Sequence, residues 1–246
     1  MLLSCQLAGV DVDCSDLFTR VPTDSGMCCA LNVDDSLRDS EYKDLVAEMQ
    51  GNKTVQKVES QEGEINGLKL VLDLHSNTVS FGTVDQQHNA FKLFIGEPAQ
   101  FPMMRSRSIK LEPGREHFVD LSASIVSSTE EIREISPEAR DCLYTDESSL
   151  DFYESYTYTN CKFECRVKEA EEKVKCIPWY IPKVSKAQVS KEINLSQGKN
   201  STTCDPWTSR EFLKELRQTN DAPCDHCLSD CNHVTYFSKV TSAGFR

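Results

Sequence analysis

Residues 148–182 read SSLDFYESYTYTNCKFECRVKEAEEKVKCIPWYIP. Phe152, Tyr156, Thr159, Phe163, Val167, Ala170 and Val174 recur there at spacings of 4, 3, 4, 4, 3 and 4. That period is the apolar stripe of one amphipathic helix running to about Lys175. Ser148-Ser-Leu-Asp151 has the form of a capping box and marks the expected start. Pro178 and Pro182 bar continuation. Cys161 and Cys165 are four apart and share a face. Each lies two residues from Phe163, about 200° round the helix. The helix is expected to pack by its stripe on one side and be cross-linked on the other.

Toward the C-terminus, Thr208-Ser-Arg-Glu211 forms a second capping box. Phe212, Leu213 and Leu216 give a short apolar face behind it, and Asn220 and Pro223 close the helix. Cys224-x2-Cys227-x3-Cys231 follows. With Cys142, Cys161, Cys165, Cys176 and Cys204, the region from Cys142 onward carries eight cysteines, and eight allow 105 pairings. If the second helix folds back antiparallel on the first, the pairs must nest as Cys176–Cys204, Cys165–Cys224, Cys161–Cys227 and Cys142–Cys231. The competing reading is zinc, held by Cys224 and Cys227 with Cys161 and Cys165, or with His233. Zinc leaves Cys142, Cys176, Cys204 and four N-terminal cysteines without a role, so disulfides are preferred.

Toward the N-terminus two further zones appear. Residues 67–141 contain no cysteine and look β-rich. Leu68, Leu70, Leu72 and Leu74 alternate with Lys69, Val71 and Asp73. Phe91, Leu93 and Ile95 repeat the period, as do Val119, Leu121, Ala123 and Ile125. Period-2 alternation predicts strands buried on one face. Pro98, Pro102, Pro113-Gly114 and Pro137 punctuate the region as turns. Residues 1–66 hold Cys5, Cys14, Cys28 and Cys29 and then a polar, charged stretch. The fold class is α+β.

The chain has 246 residues, 27 Lys and Arg against 39 Asp and Glu, a net charge of −12 and 12 Cys. The charge argues against nucleic acid, which needs a basic face, and against anionic membrane surfaces. So many cysteines suit an oxidising compartment. No stretch approaches 18 apolar residues, and MLLSCQLAGVDVDC at the N-terminus lacks the basic region of a signal peptide. These readings reconcile if the sequence is a piece of a longer protein. Three N-glycosylation sequons, at Asn52, Asn194 and Asn200, favour that view, the latter two within the polar stretch 185–203. With five His and no G-x-S-x-G, HExxH, P-loop or GxGxxG pattern, an enzyme is not indicated. No cofactor is implied.

The residues resemble the extracellular domain of the degenerin/epithelial (amiloride-sensitive) sodium channel superfamily, with acid-sensing and pickpocket-like subunits as nearest kin. Met1-Leu-Leu-Ser-Cys5 with Cys14-Ser-Asp-Leu-Phe-Thr-Arg20 resembles the family's finger-to-palm segment. Gly26-Met-Cys-Cys-Ala-Leu-Asn32 resembles its G-x-C-[YC]-x-[FL]-N motif, and Gly67 to Asp73 the next palm strand. Leu150 to Tyr156 with Thr159-Asn-Cys161 and Glu164-Cys165 resembles the main thumb helix. Cys224 to Asn232 with Tyr236 resembles the return into the palm, and Cys176-Ile-Pro-Trp-Tyr-Ile-Pro182 is pickpocket-like.

The resemblance implies a β-sheet palm and β-ball core with a disulfide-stapled helical thumb. Residues 1–66 become a partial finger/palm lead-in, 67–141 palm and β-ball, 142–231 the thumb, and 232–246 a return strand into the palm. Both membrane spans are absent. It also implies the four nested pairs plus Cys5–Cys14. The first Cys of the 26–32 motif pairs far upstream in the family, so Cys28 is orphaned, and Cys29 replaces a more usual Tyr. Val174 stands where the family carries a further thumb Cys, and only Cys204 lies between the helices where two are usual. Acid-sensing members carry a Trp shortly before the Cys aligned with Cys142; here Ser136 to Cys142 has none. Trp179 and Trp207 are expected as packing residues of the thumb. Asp205 is the candidate for proton sensing, against the alternative of a helix N-terminal charge. The implied function is the ectodomain of a sodium-selective channel subunit, in a homo- or hetero-trimer at the plasma membrane, coupling an external stimulus to a pore outside this chain. The alternative is a secreted or shed disulfide-rich binding glycoprotein of the same fold.

Overall fold

Ala8 and Gly9 both take positive φ (51° and 77°), the signature of a two-residue hairpin loop whose twist matches its strands. They join β1 (Leu2–Leu7) to β2 (Val10–Val12), with Leu7 opposite Val10. The structure, a computed structural model, describes residues 2–37, 63, 65–74, 90–181, 202–218 and 224–244. The described chain divides into two units. The first comprises residues 1–98, 102–124 and 235–246, the second 99–101 and 125–234.

In the first unit, β5 (Leu68–Leu72) adds antiparallel to the free edge of β1, giving the order β2-β1-β5. The short helix α1 (Cys14–Leu17) is capped by Asp13, whose carboxylate accepts from the Ser15 N–H at 2.8 Å. Its first residue, Cys14, is bonded to Cys5 of β1. Next come the hairpin of β3 (Thr19–Thr23) and β4 (Gly26–Ala30), which buries Val21 and Thr23, and the pair β6 (Phe91–Leu93) and β7 (Ile109–Leu111). The strands β8 (Arg115–Val126) and β13 (His233–Gly244) form a two-stranded ribbon.

One expectation fails on β8. Val119, Leu121, Ala123 and Ile125 do lie in a strand, but the face they form is not buried: Leu121 is 55% and Ile125 72% exposed. Among the described residues the ribbon has two strands and no second layer over this face. In β5, Leu70 and Leu72 are half-buried while Leu68 and Val71 are exposed.

In the second unit a 3-10 turn (Glu130–Glu134) leads from β8 to α2 (Pro137–Arg140), followed by β9 (Cys142–Leu143). The long helix α3 (Tyr158–Val174) buries Phe163, Val167 and Ala170 of the expected stripe, and also Asn160, Cys161 and Glu164. It begins at Thr157, whose hydroxyl accepts from the Asn160 N–H, and not at the Ser148–Asp151 box. The reason is tertiary. The N–H groups of Asp151 and Phe152 donate to the Glu164 carboxylate, both at 3.0 Å, so this segment lies against α3 instead of extending it. Lys175 ends α3 in the left-handed conformation with φ 64°.

Beyond it, β10 (Cys176–Ile177) pairs in parallel with β11 (Thr202–Thr203). Helix α4 (Pro206–Gln218) starts before the predicted box: Asp205 accepts from the N–H groups of Trp207 (2.8 Å) and Thr208 (3.0 Å), and Pro206 occupies the first helical position. Asn220 and Pro223 lie outside the described residues. Strand β12 (Ser229–Asp230) returns to pair in parallel with β9. The core holds Phe101 stacked on Phe163 at 4.9 Å, with Tyr153 and Tyr180 around them.

Candidate functional site

Helix α3 supplies Cys161, buried, and Cys165, half-buried, and the segment after α4 supplies their partners. The structure joins Cys161 to Cys227 and Cys165 to Cys224, with Cα atoms 5.8 and 6.2 Å apart. Cys176–Cys204 closes the far end and Cys142–Cys231 the near end, both at 5.0 Å. These are ordinary disulfide separations. The four bonds nest, but their cysteines flank α4 instead of lying in it: Cys224 and Cys227 tie the chain after α4 to α3, Cys204 ties the chain before it to the end of α3, and α4 packs on α3 between these ties. Lys173 and Glu215 add an ion pair between the helices at 3.1 Å.

The near end carries a polar hub without a periodic signal in the sequence. The Arg133 guanidinium lies 3.8 Å over the Tyr144 ring, and that of Arg140 lies at 5.0 Å. Arg140 also pairs with Glu147 and donates to the carbonyls of Cys142 and Ile135, both at 3.0 Å. That bond to Arg140, with the Tyr144 N–H, holds the Glu147 carboxyl below its usual range. The Tyr144 hydroxyl meets Ser128 Oγ at 2.6 Å, and the Ser128 N–H donates to Asn232 Oδ1 at 2.7 Å. The hub therefore locks the chain around the Cys142–Cys231 bond.

Mid-helix, Lys168 bridges Asp151 and the buried Glu164, each at 2.7 Å. Partial burial opposes the Lys168 charge, but these two bonds outweigh it and raise its pKa. Glu164 and Lys168 border an open cleft of about 280 Å³ that Glu169, Glu172 and His226 also line. At its edge the donor atoms of Cys161, His226 and Cys227 lie within 4.8 Å of one another. His233, named with zinc in mind, sits instead beside the Asp230 carbonyl. Cys161 and Cys227 are bonded to each other, so neither offers the thiolate that a metal requires.

Asp205 acts as the cap of α4, and the two backbone donors hold its carboxyl below the usual range. Shared-proton carboxylates move the opposite way. Trp179 and Trp207 are not packing residues: they are 51% and 75% exposed. Their flanks are spoken for, since the following Tyr180 and Ile181 fill the core and Phe212 and Leu216 supply the buried face of α4. In the first unit, Cys5–Cys14 is formed, while Cys28 and Cys29 are unbonded. Burial pushes the Cys28 thiol up, and its sulfur meets Thr23 Oγ1 at 3.3 Å; Cys29 is exposed. Asn52, Asn194 and Asn200 lie outside the described residues. No helix among the described residues is long and apolar enough to cross a membrane.

A family model described as amiloride-sensitive sodium channel matches residues 1–246. Pickpocket protein 28 of Drosophila melanogaster is 24% identical over 265 residues, covering 99% of this chain and 42% of the relative. Sodium channel protein Nach of Drosophila virilis is 24% identical over 237 residues, covering 96% and 54%. Pickpocket protein 19 of Drosophila melanogaster is 27% identical over 244 residues, covering 95% and 45%. The chain spans about half the length of the curated relatives it matches.

Proposed function

Because the chain belongs to the amiloride-sensitive sodium channel family, whose members are ion channels and not enzymes, we propose that it is the extracellular part of a sodium channel subunit. It receives an external stimulus and passes the resulting motion to a pore formed elsewhere in the full-length protein. Sodium is the permeant ion, the subunits form a homo- or hetero-trimer, and the site of action is the plasma membrane. Residues 142–231 are the thumb, 67–141 and 232–246 the palm with its β-ball, and 1–66 the lead-in from the finger. Asn52, Asn194 and Asn200 are glycan acceptors of the extracellular face.

The nested disulfides around α3 and α4 carry this reading. With α3 bonded through Cys161 and Cys165 to the chain after α4, and Cys176 bonded to Cys204 where the chain enters α4, the packed pair is tied at both ends and passes displacement along its length. The apolar face of β8, exposed among the described residues, supports the palm assignment, since a layer packed on it in the full-length protein would bury it.

The test is electrical. The full-length protein is expressed in oocytes under voltage clamp, and external sodium is exchanged for a large organic cation with and without amiloride. An amiloride-sensitive inward sodium current is expected, and replacing both Cys161 and Cys227 with Ser should blunt its gating at unchanged surface expression. A product released into the medium, with no current, would favour a secreted binding protein of the same fold.

A further inference from the structure

Lys92 of β6 and Lys110 of β7 stand directly opposite one another in antiparallel register. Each is the exposed middle residue of its three-residue strand, so both ammonium groups leave the same face of the pair. Like charges in that position destabilise a sheet. Among the described residues neither forms an ion pair. Lys92 Nζ donates to the Ser25 hydroxyl at 3.1 Å, and the Lys110 ammonium has no bonded partner.

Two arginines extend the patch, and the turn between β3 and β4 places the first of them. The Arg105 N–H donates to Asp24 Oδ2 at 3.1 Å and its Nε to the Asp24 carbonyl at 2.8 Å, while Lys92 holds Ser25, the next residue. Arg105 and Lys92 are therefore neighbours on one turn. Arg107 lies in the chain between Arg105 and Lys110, in a turn closed by its own N–H on the Met103 carbonyl at 3.0 Å. It is exposed, and its guanidinium has no bonded partner among the described residues. The acids at hand are engaged. Asp24 gives one carboxylate oxygen to the Arg105 backbone, its other is buried without a partner, and burial raises its pKa. Glu112, two residues past Lys110, pairs with Arg115 at 3.2 Å.

Charge and extent select the occupant. The chain carries −12, so this cluster of cations is an island on an acidic protein. A long polyanion overruns an island of this size and meets the acidic surface beyond it. A short acidic segment does not. One carboxylate fits between Lys92 and Lys110, whose backbones are about 5 Å apart in such a pair. A second meets the Arg107 fork in the bidentate manner. An apolar or basic segment leaves the repulsion between the two lysines standing. We propose that Lys92, Lys110, Arg105 and Arg107 form a docking surface for a short segment of a partner protein that presents neighbouring carboxylates.

Calorimetric titration tests it. The full chain, disulfides intact, is titrated with N-acetyl tetra-glutamate amide at physiological salt, with tetra-arginine and tetra-serine as controls. A saturable heat is expected with tetra-glutamate only. Lys110→Gln and Arg107→Gln should each weaken binding about two- to fivefold. Lys214→Gln, an equal charge change at an exposed position of α4, should not. Lys110→Gln should also raise Tm, because it ends the cross-strand repulsion. One substitution then stabilises the fold and weakens the binding, which a merely structural lysine would not do. No saturable heat, an equal heat with tetra-serine, equal effects of Lys110→Gln and Lys214→Gln, or a Tm that fails to rise in Lys110→Gln would overturn the proposal. So would tighter binding of a heparin oligosaccharide of matched charge, which would assign the patch to a sulfated polysaccharide.

Discussion

Asn160 Oδ1 accepts the backbone N–H of Phe101 at 2.9 Å, fifty-nine residues away in sequence, and its Nδ2 donates to the Ala99 carbonyl at 2.8 Å. Asn160 is fully buried in the first turn of α3. One side chain thus imitates a strand edge, satisfying a donor and an acceptor of a segment with no regular partner of its own. Phe101 is thereby fixed on Phe163.

Asn160→Ala leaves a buried N–H and a buried carbonyl without their partners. The expected loss is about 2–4 kcal/mol, from about 1–3 kcal/mol per unsatisfied group with partial relaxation. Denaturant unfolding followed by far-UV circular dichroism would measure it. A loss below that of an exposed polar substitution would show that 99–101 is held by its aromatic contacts alone.

Nesting changes what each disulfide is worth. With the others intact, Cys161–Cys227 closes only a small ring, because Cys165–Cys224 lies four residues away on one side and three on the other. Cys176–Cys204 closes a loop of separation 28. Chain entropy then makes the Cys161/Cys227 double alanine variant less damaging than the Cys176/Cys204 one by about 1 kcal/mol. Non-reducing denaturant melts compare them. The opposite order would mean that native packing, not loop closure, sets their contributions.

Glu164 gathers the Asp151 and Phe152 N–H groups and Lys168. Glu164→Ala should release residues 148–152 from α3, while Tyr153 stays in the core and Thr157 keeps its cap on the helix. Hydrogen exchange would find the Asp151 and Phe152 amides losing protection, with the amides of Val167 and Ala170 unchanged. Uniform loss across α3 would assign Glu164 a global role.

The Tyr156 hydroxyl donates to the Leu228 carbonyl at 2.6 Å, and burial, more than nearby Asp230, pushes its pKa up to about 12. The unfolded chain ionises near 10. Between those values the folded state holds a proton that the unfolded state has released, so stability is intact below about pH 10 and falls as pH rises toward 12. Burial also pushes Tyr153 up, so absorbance at 295 nm should show late-ionising tyrosines, one fewer of them in Tyr156→Phe. An unchanged titration curve in that variant would refute the assignment.

The Phe163, Val167 and Ala170 stripe was legible because helical burial leaves a period that no neighbour can erase. The start of α3 was not. A capping box is a local pattern, and Glu164 claimed the same N–H groups from thirteen residues away. For α4 the correct signal was in view, Asp205 before Pro206, but the box at Thr208 matched a longer pattern. Alternation in β8 announced a strand with an apolar face and carried no information on whether anything covers it. The tryptophans show the limit of hydrophobicity as a guide to burial: apolar residues also make up most of a protein's surface. Arg133, Arg140 and Tyr144 meet through a turn whose shape has no periodic trace.

Ser128 and Asn232 touch where the chain leaves β8 and returns into β13. Everything between them enters and exits through one doorway. Residues 129–231 are therefore one insertion in the run of the chain, but not a self-sufficient one, because Ala99 and Phe101 from outside it are bonded to Asn160 and Phe101 is stacked on Phe163. Exchange of the insertion for the matching segment of a relative would succeed only if residues 99–101 travelled with it, whereas a longer loop inside it would leave that seam untouched.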